Sequence, residues 1–227
     1  MRPANSLAVL YEDNHLLAVN KTSGVLVQGD ETGDEPLVEL CKKYIKEKYK
    51  KPGEVFLGVV HRIDRPVSGV VIFARTSKSL DRMNALFRDR QTKKTYWAIV
   101  QSKPAKESGT LVHWLVKNEA KNKTTAYARE NKEGQRSELS YQLLRQRSDY
   151  FLLEVNPITG RPHQIRVQLA SMGCPIVGDL KYGYDQPNPD KSICLHARQL
   201  EFIHPVKKEK ISLVAPLPSD ELWNLFS

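Results

Sequence analysis

Cysteine is scarce in this chain: Cys41, Cys174 and Cys194 stand far apart among 227 residues. Scattered thiols make no disulfide framework, and a reduced, cytoplasmic setting is the expectation. Cys174, Cys194 and His196 also lack the close paired spacing of zinc ligands, so no metal is expected. No apolar run reaches membrane-spanning length, and the N-terminus lacks a charged-then-apolar leader, which argues against a membrane partner. There is no P-loop, no dinucleotide fingerprint, no internal repeat and no glycine–serine linker.

What the chain does have is enough apolar content for a real core, 40% of its residues. It also has a located excess of positive charge. Residues 1–74 hold ten Lys and Arg against ten Asp and Glu, and residues 148–227 hold eight against nine. Residues 75–147 hold 17 against seven, so the whole net charge of +9 traces to this middle segment. A single-sign block of that kind suits a polyanion-binding face; a merely solubilising charge set is the plainer alternative.

Residues 7–12 and 16–21 read as two short strands about an Asp-Asn-His turn, and 25–27 as a third. The loop 29–34 is acidic. Pro36 opens a helix over 37–49, stopped by Lys51-Pro52-Gly53. A strand over 55–60 leads into a loop and then into the apolar strand 69–74. Thr76-Ser77 offers an N-cap for a helix over 78–89. Strands are expected at 94–100, 110–116, 124–128, 138–144 and 151–155, as an antiparallel meander that carries the positive block. Pro162, taken as a first helical residue, starts a helix over 163–171. Two last strands, 194–202 and 210–214, precede a short helix over 219–226.

The stretch His61-Arg62-Ile63-Asp64-Arg65-Pro66-Val67-Ser68-Gly69 organises the rest. It sets one acid among bases at the mouth of a strand that reads as covered on both faces. A carboxylate between arginines stays ionised, and such a group can serve as nucleophile or base. A structural ion pair at a strand start is the other reading of the same residues. A protein-kinase catalytic loop is excluded, because no glycine-rich phosphate loop precedes it and no Asp-Phe-Gly follows.

This stretch resembles the signature of the RluA-type pseudouridine synthases, whose pattern is His-Arg-Leu-Asp-x-x-Thr-Ser-Gly. The resemblance runs through nearly the whole chain, in order. Tyr11-Glu12-Asp13 and Val19-Asn20-Lys21 are similar to the family's opening strands, and Lys94-Thr95-Tyr96-Trp97-Ala98-Ile99-Val100 to its second motif. Thr159-Gly160-Arg161-Pro162-His163-Gln164-Ile165-Arg166 and Gly178-Asp179-x-x-Tyr182-Gly183 are similar to its third, and Leu195-His196-Ala197 to its closing strand. Ile63 stands for the usual Leu, Val67 for the usual Thr, and Gln168 where a second His is common. None of these departures removes a charged group.

The resemblance implies an α+β fold: one catalytic domain over residues 1–227, with a mixed, largely antiparallel sheet, flanking helices and a central RNA-binding cleft. The small N-terminal RNA-binding domain of many relatives is not expected, since the first strand begins near Leu7. Asp64 is implied as the group that breaks the uridine N1–C1′ bond before uracil rotates and rejoins through C5. Whether it attacks the sugar, attacks the ring or removes a sugar proton stays open. Arg166 is implied as its partner cation, and Tyr96 as packing on uracil and taking the C5 proton. Arg62 is implied to fill the space left by the flipped base, with His61, Arg161, His163 and Ile165 also contacting RNA. No cofactor is implied, because cleavage and rejoining are redox neutral. The expected partner is a transfer or ribosomal RNA stem-loop, bound by a monomer. Two other classes remain: a silent RNA-binding module, which would be free to lose Asp64, Tyr96 and Arg166, and a nucleoside hydrolase, which would want a second acid beside Asp64.

Overall fold

The computed structural model describes residues 7–227. In chain order the elements are β1 (Val9–Glu12), β2 (Leu16–Lys21), α1 (Leu37–Lys48), β3 (Gly58–Val59), β4 (Ser68–Ala74), α2 (Ser77–Arg88) and β5 (Lys93–Val100). There follow β6 (Ser108–Asn118), β7 (Lys123–Tyr127), β8 (Gln135–Arg147), β9 (Tyr150–Pro157), α3 (Gln164–Ser171), β10 (Leu195–Ile203), β11 (Lys210–Val214) and α4 (Glu221–Asn224). The fold is α+β, and it forms two compact units. One takes the chain up to Lys93 together with Ala197–Pro216, the other Lys94–His196 together with Leu217–Ser227.

In the first unit β1 pairs with β2, β2 with β4 and β10 with β11, all antiparallel. Every residue of β4 is buried, as its unbroken apolar run predicts. Leu16, Ala18, Val70 and Ile72 form one core face with Leu200, Phe202 and Leu213, and Met83 of α2 joins them. Thr76 caps α2 as its sequence announces, its Oγ1 accepting from Ser79 N–H at 3.1 Å. Gly69 has φ +116°, and a Cβ there would lie 2.3 Å from the carbonyl oxygen of Ala197. Only glycine fits where the Asp64 loop turns into β4.

The second unit is an antiparallel sheet in the order β5, β9, β8, β6, β7. It is not the expected meander of consecutive strands, because β9 returns beside β5 and β8 pairs with β6, leaving β7 paired, among the described residues, with β6 alone. Leu115 and Ala126, paired across β6 and β7, pack with Val167 and Ala170 of α3 and with Tyr182.

Four further expectations are corrected. Residues 25–27 are not a strand; the carbonyls of Leu26 and Val27 accept from the N–H groups of Leu37 and Val38, which open α1 and have no partners inside it. The strand over 55–60 shrinks to β3, because the His61 side chain takes up the next position along β4. Pro162 lies outside α3, in a turn closed by Gln164 N–H on Arg161 O at 3.1 Å. His163 holds the left-handed third position of that turn, at φ 54°, and the helix starts only after it. The closing helix is the four-residue α4, capped by Asp220, whose Oδ1 accepts from Trp223 N–H at 3.0 Å.

Candidate active site

His61, Arg62 and Asp64 lie on the loop between β3 and β4 in the first unit. Ile63 and Val67 are buried there, 8% and 2% exposed, so the two apolar departures from the family signature anchor the loop in the core. Between them Asp64 closes a turn, its carbonyl accepting from Val67 N–H at 3.0 Å. The loop is fixed at its entrance by His61, whose Nε2 accepts from the Ile72 N–H of β4 at 3.2 Å while its ring stacks on Phe87 at 4.9 Å. This occupies a face and a nitrogen of a side chain expected to meet RNA, and gives it a part in the fold. Arg62 is exposed, with Nη1 3.4 Å from Gln28 Oε1.

A residue that sequence reasoning left without a role sits beneath this loop. Lys21 is only 1% exposed, and its ammonium donates to the carbonyls of Thr22, Val25 and Arg65 at 3.0, 2.8 and 3.1 Å. Three carbonyls use all three of its N–H groups. Burial pushes its pKa down to about 7, against the pull of the Asp64 carboxylate and with the Arg65 charge adding to the fall. The available signal was a lysine ending an apolar strand, where a solvent-facing residue is the usual finding.

Tyr96, Arg161, His163, Ile165 and Arg166 belong to the second unit. Tyr96 is half-buried on β5, opposite Val155 of β9. Arg166 is 5% exposed, and Asp179 holds it with two parallel bonds, Nε to Oδ2 at 2.7 Å and Nη2 to Oδ1 at 2.8 Å. This fork-to-fork pairing fixes the plane of the guanidinium as well as its charge. The guanidinium carbon also lies 5.1 Å from the centre of the Tyr182 ring. Tyr182 receives the Thr124 N–H at 2.9 Å and meets His163 Nδ1 at 2.7 Å, and burial pushes its pKa up. His163 and Arg166 therefore meet around one tyrosine. Asp179 and Tyr182 stood in a quoted motif but carried no assigned role.

Gln164 ties the turn before α3 to the sheet. Its Oε1 accepts from Thr159 Oγ1 at 2.8 Å and from Arg161 N–H at 3.0 Å, and its Nε2 donates to Glu138 O at 3.1 Å. Arg161 is left exposed at the rim of that turn, and Ile165 is 7% exposed on α3. Gln168, at the position where a second His is common in the family, is fully buried and donates to Leu111 O of β6 at 3.1 Å. Its work is to fasten α3 to β6.

Residues 15–171 match the family model described as RNA pseudouridylate synthase. Ribosomal large subunit pseudouridine synthase C of Vibrio cholerae serotype O1 is 34% identical over 215 residues, covering 92% of this chain and 65% of that protein. The protein of the same name from Buchnera aphidicola subsp. Acyrthosiphon pisum is 36% identical over 219 residues, covering 93% and 68%. The chain thus spans about two thirds of the length of these curated relatives. Among solved structures, Human RNA Pseudouridylate Synthase Domain Containing 4 superposes with a TM-score of 0.78 at 28% identity, over 93% of this chain and 89% of that one.

Proposed function

Because this chain belongs to the RNA pseudouridylate synthase family, we propose that it isomerises uridine to pseudouridine in large-subunit ribosomal RNA, with Asp64 as the catalytic carboxylate. The observation that carries this reading is the loop itself. Asp64 sits half-buried between two core-anchored residues, Ile63 and Val67, on a turn whose flanks are hydrogen-bonded to β4 and to the Lys21 ammonium. Holding a reacting group within a fraction of an ångström is what such bracing achieves.

In this reading the target nucleotide leaves its stack, at a cost of about a few kcal/mol. Arg62, exposed beside Asp64, fills the space it vacates. The Asp64 carboxylate acts at the uridine to release N1 from C1′; attack on the sugar, attack on the ring and removal of a sugar proton all need it ionised. Arg166 supplies the partner cation, the plane of its guanidinium fixed by Asp179. Tyr96 packs on the uracil and takes the C5 proton once the ring has rotated and rejoined. The positive segment 75–147 meets the RNA backbone and makes affinity salt-dependent.

The choice of ribosomal over transfer RNA follows the names of the relatives. Carbodiimide-blocked primer extension on large-subunit RNA from cells lacking the protein tests it. A stop that returns when purified protein is added is the expected result. Stops restored only in transfer RNA would move the substrate to that class.

A further inference from the structure

Arg65, the residue after Asp64, is the obvious candidate for a phosphate contact in an RNA enzyme, and more than two fifths of its side chain is exposed. Its surroundings give it another task. Gly24 and Arg65 exchange two bonds: Gly24 N–H donates to Arg65 O at 2.8 Å, and Arg65 Nε donates to Gly24 O at 2.9 Å. The same Arg65 carbonyl accepts from Lys21 Nζ at 3.1 Å. The far end of the guanidinium, Nη2, pairs with Asp34 across the acidic loop. Gly24 has φ +84°, the left-handed conformation that turns its N–H and C=O toward one partner.

We propose that Arg65 is a positioning residue: it clamps the Asp64 turn to residues 24–34, so that Gly24 and Asp34 set where the catalytic carboxylate stands. The inference rests on Asp64 being the catalytic group. A one-ended contact would leave the turn free to rotate about it. Here the backbone of Arg65 is held on one side and its side chain on the other, with Asp64 immediately before it. Only a planar, forked donor set reaches both Gly24 O and Asp34 at once, so lysine is no substitute. The acidic loop also gains a reason to be acidic next to a polyanion site: it keeps this arginine out of the phosphates' reach.

The two roles separate on Asp34. Arg65→Ala, Arg65→Lys and Asp34→Ala are compared with wild type for kcat and KM in pseudouridine formation, for thermal midpoint, and for amide exchange at Gly24 and Val67. A positioning role lowers kcat about tenfold or more in all three variants, leaves KM within about twofold, and speeds exchange at both amides. The midpoint moves little, because an exposed ion pair contributes little to global stability. A phosphate contact instead raises KM in Arg65→Ala, is largely rescued by lysine, and makes Asp34→Ala bind RNA more tightly by freeing the arginine. That pattern, or unchanged exchange in all three variants, overturns the proposal. Wild type that forms no pseudouridine in any RNA counts against the functional reading itself, while the exchange rates still decide the clamp.

Discussion

Two buried cations carry the residue-scale argument, and they are solved differently. Arg166 is balanced by a carboxylate, Asp179, itself only 1% exposed. Asp179→Asn removes the charge that both guanidinium N–H groups point at, and a cost of about 3–5 kcal/mol is expected in urea unfolding. A loss below about 1 kcal/mol would mean that the pair behaves like a surface bridge. Lys21 is balanced by dipoles instead. Lys21→Met keeps the apolar stem and strips three half-buried carbonyls of their donor, so stability should fall by about 1–3 kcal/mol in the same measurement. Resemblance to the family's third motif made Arg166 legible in the sequence. Lys21 was not, because nothing local distinguishes a lysine that turns inward at a strand end from one that stays wet.

At the scale of elements, the loop between β3 and β4 depends on β4 at both ends. His61 replaces a ladder partner at Ile72, and Gly69 threads the turn past the Ala197 backbone. Gly69→Ala should cost about 1–3 kcal/mol from backbone conformation alone, with the steric overlap added, and should abolish activity by displacing Asp64. A fully active, equally stable Gly69→Ala protein would refute that role. The strands and long helices were readable because their periodicity and caps are local: Thr76 in front of α2 is the plain case. The misread elements were decided by contacts far along the chain. Residues 25–27 have a strand's composition but spend two of their carbonyls on the start of α1. Pro162 has a helix-start signature, yet the bond from His163 to Tyr182, 19 residues on, holds His163 left-handed and delays the helix.

Across the whole molecule, the first unit is completed only when Ala197–Pro216 returns to residues before Lys93. Part of that closure is electrostatic and responds to pH. Asp13 accepts from His15 and Leu16 N–H at 2.8 Å and pairs with His204 Nε2 at 3.0 Å and with Lys207 at 3.1 Å. His204 Nδ1 accepts from the N–H groups of Val206 and Lys207, so the ring is neutral and Nε2 carries its proton. Burial holds the His204 pKa below its ordinary value, against the pull of Asp13. Burial alone would raise the Asp13 carboxyl, but the two backbone N–H groups, with Lys207 and Tyr11, bring it well below the usual range. Both depressed groups stabilise the fold above their unfolded-state values and lose that contribution on acidification. The thermal midpoint should therefore begin to fall below about pH 6.5 through His204 and fall further below about pH 4 through Asp13. His204→Gln should flatten the first step; a curve of unchanged shape would show that the ring plays no part in it.

The positive block was legible as a charge count, and its placement on α2 and the β5 to β8 strands is what the fold adds. Its purpose is testable at the same scale. Lys121 and Lys132 are exposed in the β6–β7 and β7–β8 turns. Replacing both with Ala should lower RNA affinity and make log Kd against log salt shallower by roughly one unit per lysine that meets a phosphate. An unchanged slope would leave these turns as solubilising surface.

The claim on which the account turns is that Asp64 drives the exchange of a C–N for a C–C glycosidic bond. Tritium release from unmodified large-subunit ribosomal RNA labelled at uracil C5 reads that exchange directly, because C5 must lose its hydrogen to join the sugar. Wild type should release tritium stoichiometrically with the uridines it converts, and Asp64→Asn should release none while binding the RNA with comparable affinity. Release by Asp64→Asn at the wild-type rate, or none by wild type despite tight salt-sensitive binding, would contradict the account.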